Sequence, residues 1–379
     1  GRAEGGIYGG SITQGSGTFT AFAIGGNTPQ KLLSVVEWGN ISWTSFVNAF
    51  NGAINMGLNA VDTPVLANVT SMASAFKNCS SLTTNPAMDN WHTGNVTDMS
   101  FMFNGASAFN QDISNWNTSG VINMSNMFNG ATVFNQPIGN WNTSHVTNIG
   151  HLVQSAKAFD QDLGNLDVEN VSNMAYMFYD AESFNRDLHN WNTSKVENMV
   201  SMFQKAAAFN QDIGSWNLQS VKIPANNDGS LVNMLANSGM DCSSYSQTLT
   251  GWATSSKTPS GLRLDATGLS YDSAYALAAR QTLINTKGWT INGDQLGHCS
   301  VSLLPITLLS FAGSLQKGVA TLEWQTGVEG NFNHFEIETL RLPGNNVTGS
   351  FTNLGIVNAN GSSSYTFSVP QQGTSAYYR

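Results

Sequence analysis

Hydrophobic residues recur every 25 positions through the middle of this chain. Valine marks one column, at Val96, Val121, Val146, Val171, Val196 and Val221. Alanine, phenylalanine and tryptophan mark further columns with the same spacing, and Leu166 takes the place of tryptophan once. A fixed period of this size is typical of repeat proteins, in which each unit packs on its neighbours. The pattern therefore predicts a stack of about eight repeat units over residues 38–240.

Within one unit the hydrophobic spacing changes from helical to extended. Four residues follow the i, i+3, i+4, i+7 spacing of one helical face: Met99, Met102, Phe103 and Ala106. Ile113 and Trp116 then mark a short extended stretch, and the turn-forming segment 117–119 precedes the next unit. The predicted fold class of this part is therefore an α/β repeat solenoid, in which each unit contains a short strand, a turn and a short helix.

Asparagine forms a polar column in the same array, at Asn115, Asn140, Asn165 and Asn190. Amide side chains stacked in this way are able to bond along the array, so we expect a ladder that caps main-chain groups. A column of polar ligands is the alternative interpretation.

The two ends of the chain have different patterns. Residues 1–37 alternate between apolar and polar positions, which predicts a β-structured cap or the remnant of a preceding β-domain. Residues 241–299 mix helical and extended patterns and are predicted to form a C-terminal α/β cap. From 300 to 379, strand-like runs alternate with turns about every ten residues, which is typical of an all-β sandwich. Because the last run ends at Arg379, we expect this sandwich to be incomplete, with an open edge.

The low proportion of charged residues limits the kinds of partner that we expect this chain to bind. Charged residues make up 10% of the chain, and the formal net charge is −9. Nucleic acids and anionic membranes attract clusters of lysine and arginine, and the sequence has no such cluster. No apolar run reaches the roughly 18 residues that cross a bilayer. We therefore expect neither nucleic-acid binding nor membrane insertion.

Few residues of this sequence have the type and spacing of a catalytic or metal-binding site. The three cysteines lack the spacing of a metal site, and the six histidines are scattered. Cys79 falls in the alanine column, which predicts a buried free thiol, whereas Cys242 and Cys299 flank one segment and either form a disulfide or remain thiols. One aspartate column repeats as a scaffold position would, at Asp112, Asp162, Asp187 and Asp212. We accordingly predict no catalytic residue, no cofactor, no metal site and no enzymatic activity.

Two columns of the predicted helix vary while their neighbours stay fixed. The first holds Phe101, Asn126, His151 and Tyr176, and Tyr179 lies in the second, three positions further on. These positions lie opposite the apolar face of the predicted helix, so their side chains should be exposed. They are either unconstrained surface or a binding face for a protein or a glycan, because aromatic side chains dominate recognition surfaces.

The repeat resembles a known family. The unit over 99–121, M-x-x-M-F-x-x-A-x-x-F-N-Q-D-I-x-x-W-N-T-S-x-V, is similar to the BspA-type repeats of bacterial surface proteins and mycoplasma surface lipoproteins. Residues 239–294 look like the segment that follows such repeats in Bacteroidota proteins. Residues 304–338 resemble the immunoglobulin/fibronectin-like module that precedes the sorting signal in cargo of the type IX secretion system. The resemblance implies a leucine-rich-repeat-like solenoid followed by an immunoglobulin/fibronectin-like sandwich.

The resemblance also implies a location outside the cell or on the outer surface of a bacterium. The expected function is that of a non-enzymatic repeat protein for adhesion, with a protein or a glycan on another surface as its partner. One alternative is a structural module of a surface polymer or secretion complex, completed by self-association or by a strand from a partner. Another is the non-catalytic targeting part of a larger secreted enzyme.

Overall fold

The computed structural model describes residues 29–222, 231–272, 276–297, 299, 308–326, 334–341, 352–358, 364–370 and 376–378. The chain divides into two compact units, Gly1–Ser300 and Val301–Arg379. Most of the predicted N-terminal cap, residues 1–28, lies outside the described residues.

The repeat units are built from turns, and the prediction of a helix in each unit is wrong. In the predicted helix, the Met102 N–H donates to the Met99 carbonyl at 3.3 Å, and the Ala106 N–H donates to the Phe103 carbonyl at 3.0 Å. Such i to i+3 bonds close β-turns, and the third residue of each turn has positive φ, as in type II turns. Two consecutive turns therefore place the same apolar side chains inward that a helix would.

The alternate N–H groups of these turns bond to the next unit. The donors are Met99, Phe101, Phe103 and Gly105, and the acceptors are the carbonyls of Asn123, Ser125, Met127 and Asn129, at distances of 2.7–3.0 Å. An α-helix would need those N–H groups for its own i−4 carbonyls. Since a buried N–H requires one acceptor, bonding between units excludes the helix.

The short strand predicted around Ile113 and Trp116 is also absent from the described units. Parallel pairing along the stack is reduced to single-residue bridges that link Asp98, Asn123, Asn148, Asn173 and Asn198 in series. The predicted fold class, an α/β solenoid of strand-plus-helix units, is therefore wrong, because turns and irregular segments make up the units.

Aromatic stacking fills the core of the array. Phe103 lies between Phe76 and Phe128, with ring centroids 5.5 and 5.8 Å away, and Phe109 stacks on it at 3.9 Å. Each of these rings is fully buried. The 25-residue period of the sequence thus becomes a continuous column of rings through Phe109, Phe134, Phe159, Phe184 and Phe209, whereas Val153 interrupts the column of Phe103.

Two ladders of hydrogen bonds join side chains to the main chain along the array, one from buried indoles and one from half-buried or exposed polar side chains. Indole Nε1–H groups donate to a carbonyl 28 residues earlier, as in the bond from Trp116 to Met88 at 2.8 Å. A second ladder joins side-chain Oδ1 atoms to the N–H of the same position in the next unit: Asn110 to Asn135, Asn135 to Asp160, Asp160 to Asn185, and Asn185 to Asn210. The column expected to form a ladder, with Asn140 as a member, is exposed instead.

Short regular elements lie before, within and after the array. A 3-10 turn spans Pro29–Lys31, strand β1 (Ser34–Val35) pairs in parallel with β2 (Gly57–Leu58), and a second 3-10 turn spans Pro86–Asn90. After the last repeat come α1 (Cys242–Thr254), β3 (Arg263–Asp265), β4 (Ser270–Asp272) and α2 (Ala276–Gln281), which continues as a π-helical turn over Thr282–Thr286. Strands β5 (Thr290–Asn292) and β6 (Gln295–Gly297) pair in parallel with β3 and β4.

Helix α1 covers the end of the stack. Its Asp241 N-cap accepts from the Ser244 N–H at 2.8 Å, and the Trp252 indole extends the indole ladder by donating to the Ile213 carbonyl at 3.1 Å. Gly251 lies directly against Gly214, where an added Cβ would come within 2.6 Å of the Gly214 Cα. Glycine is therefore required inside this helix, because only two bare backbones approach so closely.

The second compact unit contains six described strands: β7 (Leu308–Gln316), β8 (Val319–Thr326), β9 (His334–Arg341), β10 (Thr352–Asn358), β11 (Ser364–Pro370) and β12 (Ala376–Tyr378). They form two antiparallel sheets of three strands, ordered β11-β8-β7 and β10-β9-β12. Leu322, Trp324, Ile337 and Tyr365 form a small shared core. These small sheets do not establish the predicted immunoglobulin/fibronectin-like sandwich.

Candidate ligand-binding face

The variable column of the repeat is a left-handed backbone position. Phe101, Asn126, His151, Tyr176 and Ser201 have φ values of 57°, 59°, 61°, 57° and 53°. Asn48, Ser74 and Asn233 have similar angles, φ 56°, 58° and 55°. The left-handed region suits asparagine, whose side chain bonds locally, and disfavours bulky residues.

Phe101 and Tyr176 are therefore costly choices for this position. A bulky residue in the left-handed region raises the free energy of the folded chain by on the order of 1–3 kcal/mol. Strain of this kind is found most often at functional sites. Asparagine or serine supports the same turn in other units, so folding does not call for an aromatic ring there. This strain favours a binding face over unconstrained surface as the interpretation of the column.

Three of the predicted residues come together in neighbouring units. The His151 imidazole stacks on the Tyr176 ring at 4.7 Å with an interplanar angle of 5°, and the Tyr179 ring lies 5.7 Å from Tyr176. The His151 Nδ1 lies 2.5 Å from the Gln154 Oε1, and the Lys205 Nζ lies 5.6 Å from the centre of the Tyr179 ring. We call these five residues the aromatic face.

His151, Tyr176 and Tyr179 are half-buried, so the expectation that they stand exposed is wrong, whereas Lys205 is exposed. The reason is that the rings lie against one another across the units. Phe101 is separate from them and packs under the Lys77 Nζ at 5.0 Å, while the Asn126 Oδ1 accepts from the Asn129 side chain at 3.1 Å. The structure thus splits the predicted set into the aromatic face and two residues outside it.

Lys205 is the member of the aromatic face that the sequence pattern missed. It occupies the column of Gly105, Gly130, Ser155 and Asp180 and has a positive φ of 62°. A long side chain in a column of glycine and small polar residues was the available signal, because the left-handed region disfavours such a side chain.

The remaining candidate residues are parts of the scaffold. Cys242 and Cys299 form a disulfide. Cys79 is buried, and burial raises the pKa of its thiol to about 12, so it is not a nucleophile at neutral pH. The Asp112 Oδ1 accepts from the N–H of Ser114 at 2.9 Å, and Asp162, Asp187 and Asp212 each accept in the same way two residues on.

One group of potential metal ligands lies within reach of a single ion in the described residues, namely Cys242, Asp272 and Cys299. Both of its sulfur atoms are already bonded to each other. A disulfide offers no thiolate, which is the form of cysteine that binds metals. The described part of the chain also has no helix long and apolar enough to cross a bilayer.

Comparison with known protein families gives a match that covers the repeats. A family model described as "Mycoplasma protein of unknown function, DUF285" matches residues 44–165 and again 134–252. No curated protein and no solved structure matches. The family agrees with the expected resemblance to mycoplasma repeat proteins, and it says nothing of an immunoglobulin/fibronectin-like module or of type IX secretion. Since the two matches together span more than half of the sequence, this chain belongs to the DUF285 family.

Proposed function

We propose that this chain is a non-enzymatic repeat protein of the bacterial cell surface that adheres to a protein or a glycan through its aromatic face. The observation that carries the proposal is the placement of Tyr176 and His151, stacked on each other, at left-handed positions that other units fill with asparagine or serine. The family match supports a surface repeat protein, and adhesion is our inference.

The geometry of the aromatic face suits recognition. Its stacked rings are held in place before any partner arrives, which reduces the entropy lost on binding. Tyrosine is enriched among the residues that dominate binding energy, and it offers both an apolar ring and a hydroxyl group. The Lys205 ammonium adds one positive charge beside the rings.

A test replaces the rings with asparagine, which other units carry in these two columns. The triple variant His151→Asn, Tyr176→Asn, Tyr179→Asn should bind at least tenfold more weakly to a glycan array or to a panel of immobilised extracellular-matrix proteins. Its melting temperature should stay equal or rise, because asparagine suits the left-handed position better. Ile122→Asn is the matched control, since Ile122 is 48% exposed and lies outside the aromatic face. Equal binding by the triple variant and the wild type would refute the proposal.

A second candidate function is self-association through β7. In the described part of the second unit, β7 is an edge strand, and Phe311 and Leu315 on it are 44% and 55% exposed. Phe311 pairs with Trp324, so both lie on the face of the sheet that carries the core. A second copy that adds a strand to β7 would cover them. Light scattering decides this candidate, because it requires a mass above that of one chain.

A further inference from the structure

Three potential metal ligands meet in the cap that follows the last repeat. The Sγ atoms of Cys242 and Cys299 and a carboxylate oxygen of Asp272 all lie within 4.8 Å of one another. The three residues are far apart in the sequence, so no spacing of cysteines and carboxylates indicates this cluster. In the disulfide form the two sulfur atoms are bonded to each other, and only the carboxylate is able to bind an ion.

Regular elements of the cap determine where the three side chains lie. Cys242 is the first residue of α1, Asp272 is the last residue of β4, and Cys299 comes two residues after β6. Strands β4 and β6 pair in parallel, with Asp272 opposite Gly297, so their carboxyl ends lie at the same edge. The cluster therefore lies where this edge meets the beginning of α1.

A hydrogen bond joins these elements without the help of the disulfide. The Ser246 hydroxyl, one turn after Cys242 in α1, accepts from the main-chain N–H of Asp272 at 2.9 Å. The same hydroxyl oxygen lies 3.9 Å from the Cys299 Sγ. Neither this bond nor the pairing of β4 with β6 uses a sulfur atom, so cleavage of the S–S bond breaks neither of them.

Reduction converts the cluster into a set of ligands that carry negative charge. A dithiol reductant supplies two electrons and two protons, the S–S bond breaks, and the reductant forms a disulfide of its own. The thiol of Cys242 then lies at the N-terminus of a helix, where the helix dipole favours the thiolate. Cys242, Asp272 and Cys299 are each half-buried, so part of every residue is open to solvent.

We propose that the reduced cap binds one Zn²⁺ ion through the thiolates of Cys242 and Cys299 and the carboxylate of Asp272. Zinc binds sulfur at about 2.3 Å and carboxylate oxygen at about 2.0–2.2 Å, so ligand atoms around a tetrahedral ion are about 3.6–3.8 Å apart. The three ligand atoms lie close enough that rotation of their side chains reaches this spacing. Binding forms two Zn–S bonds and one Zn–O bond and releases the two thiol protons, and water fills the fourth position.

The ligand set selects the kind of metal and couples its binding to the redox state. Calcium and magnesium prefer sites built from six or more oxygen ligands, whereas a pair of thiolates favours zinc. The disulfide and the ion need the same two sulfur atoms. The cap is therefore closed either by the S–S bond or by the metal, and never by both.

Cobalt(II) serves as the probe, because its bonds to thiolates absorb in the near ultraviolet, whereas Zn²⁺ is d¹⁰ and silent. The full chain carries Cys79→Ala, so that Cys242 and Cys299 supply the only thiols. It is reduced, freed of reductant and titrated without oxygen. One Co²⁺ per chain should produce the absorption band, and Zn²⁺ should abolish it. No band in the reduced chain, or an equal band in the oxidised chain, would overturn the proposal.

Two neighbouring carboxylates give a matched pair of variants. Asp241 caps α1 next to Cys242 but does not belong to the cluster, and asparagine is an equally good N-cap. Asp272→Asn should weaken Co²⁺ binding at least about tenfold, since even the outer partners of metal ligands contribute that much. Asp241→Asn should leave the affinity unchanged. Equal affinity in the two variants would show that the proposed ligand set is wrong.

Unfolding in urea provides a readout that does not depend on cobalt. A ligand that binds the folded chain more tightly than the unfolded chain raises the unfolding midpoint. Zn²⁺ should therefore raise the midpoint of the reduced Cys79→Ala chain, and Mg²⁺ should not. The oxidised chain and the Cys242→Ser, Cys299→Ser variant should not respond to zinc. If zinc leaves the reduced chain unchanged, or shifts the serine variant equally, the proposal fails.

Discussion

At the residue scale, single departures from the repeat are the features that the 25-residue period does not explain. Tyr176 stands where other units have asparagine or serine, Lys205 stands in the column of Gly105, Gly130, Ser155 and Asp180, and Pro64 stands in a tryptophan column. Tyr176 and Lys205 both have positive φ, which is costly for a bulky or long side chain. Cys79, in an alanine column, is a departure of another kind, because it is fully buried and its thiol donates to the Phe50 carbonyl at 3.1 Å.

Cys79 should make folding stability fall in alkaline solution. Burial raises the pKa of its thiol from 9.0 to about 12, so between these values the unfolded chain loses a proton that the folded chain keeps. Stability is therefore fully present below about pH 9 and is lost by about 1.4 kcal/mol per pH unit as the pH rises toward 12.

The measurement compares urea unfolding of the wild type and Cys79→Ala at several pH values from 8 to about 11. Alanine is the residue of this column in other units, so the variant should fold. The difference between the two free energies of unfolding should shift with pH in favour of Cys79→Ala. If this difference in the free energy of unfolding stayed constant with pH, the Cys79 thiol would not be the cause of the predicted loss of stability.

At the scale of the element, the unit is a pair of turns bonded to its neighbours. The spacing of Met99, Met102, Phe103 and Ala106 identified the inward side chains, and all four are buried. It did not reveal their backbone, since a helix and two consecutive turns present the same positions to the core. The ladder through Asn110, Asn135 and Asp160 likewise depends on which carbonyls and amides face one another between units.

Two asparagines of one unit give a matched test of the ladder. The Asn135 Oδ1 accepts from the Asp160 N–H at 3.0 Å and from the Gln161 side chain at 2.8 Å, whereas Asn140 is exposed. Asn135→Ala should lower the free energy of unfolding by about 1–2 kcal/mol, because two donors lose their acceptor. Asn140→Ala should change it by less than about 0.5 kcal/mol. Equal unfolding midpoints in urea would contradict the ladder's role.

At the scale of the whole molecule, the array holds together only through contacts between neighbouring units. Such arrays need a cap at each end, because the last unit lacks a neighbour. Helix α1 provides this cap, and the disulfide from Cys242, its first residue, to Cys299 fixes it to the chain after β6. Inside the cap, Arg280 and Asp294 form an ion pair at 2.7 Å, and the Asp294 carboxylate is fully buried.

Removal of this disulfide should weaken the cap and hence the array. The bridge closes a loop with a sequence separation of 57, for which the chain-entropy model gives about 4 kcal/mol of stabilisation. The variant Cys242→Ser, Cys299→Ser should therefore lose about 2–4 kcal/mol of unfolding free energy. Chemical denaturation measures the loss, and addition of a reductant should produce the same loss in the wild type but none in the variant. Insensitivity of the wild type to reductant would contradict the prediction.

The sequence by itself determined the period and the buried columns, because a 25-residue repeat of large apolar side chains must be packed against its own copies. The tertiary structure decided whether the main chain bonds within a unit or between units, since an apolar pattern records which side chains are buried but not which carbonyl each N–H meets. The tertiary structure alone brought His151, Tyr176 and Tyr179 together and placed Lys205 beside them. Both features depend on which side chains meet between units about 25 residues apart, and the sequence pattern alone does not specify these contacts.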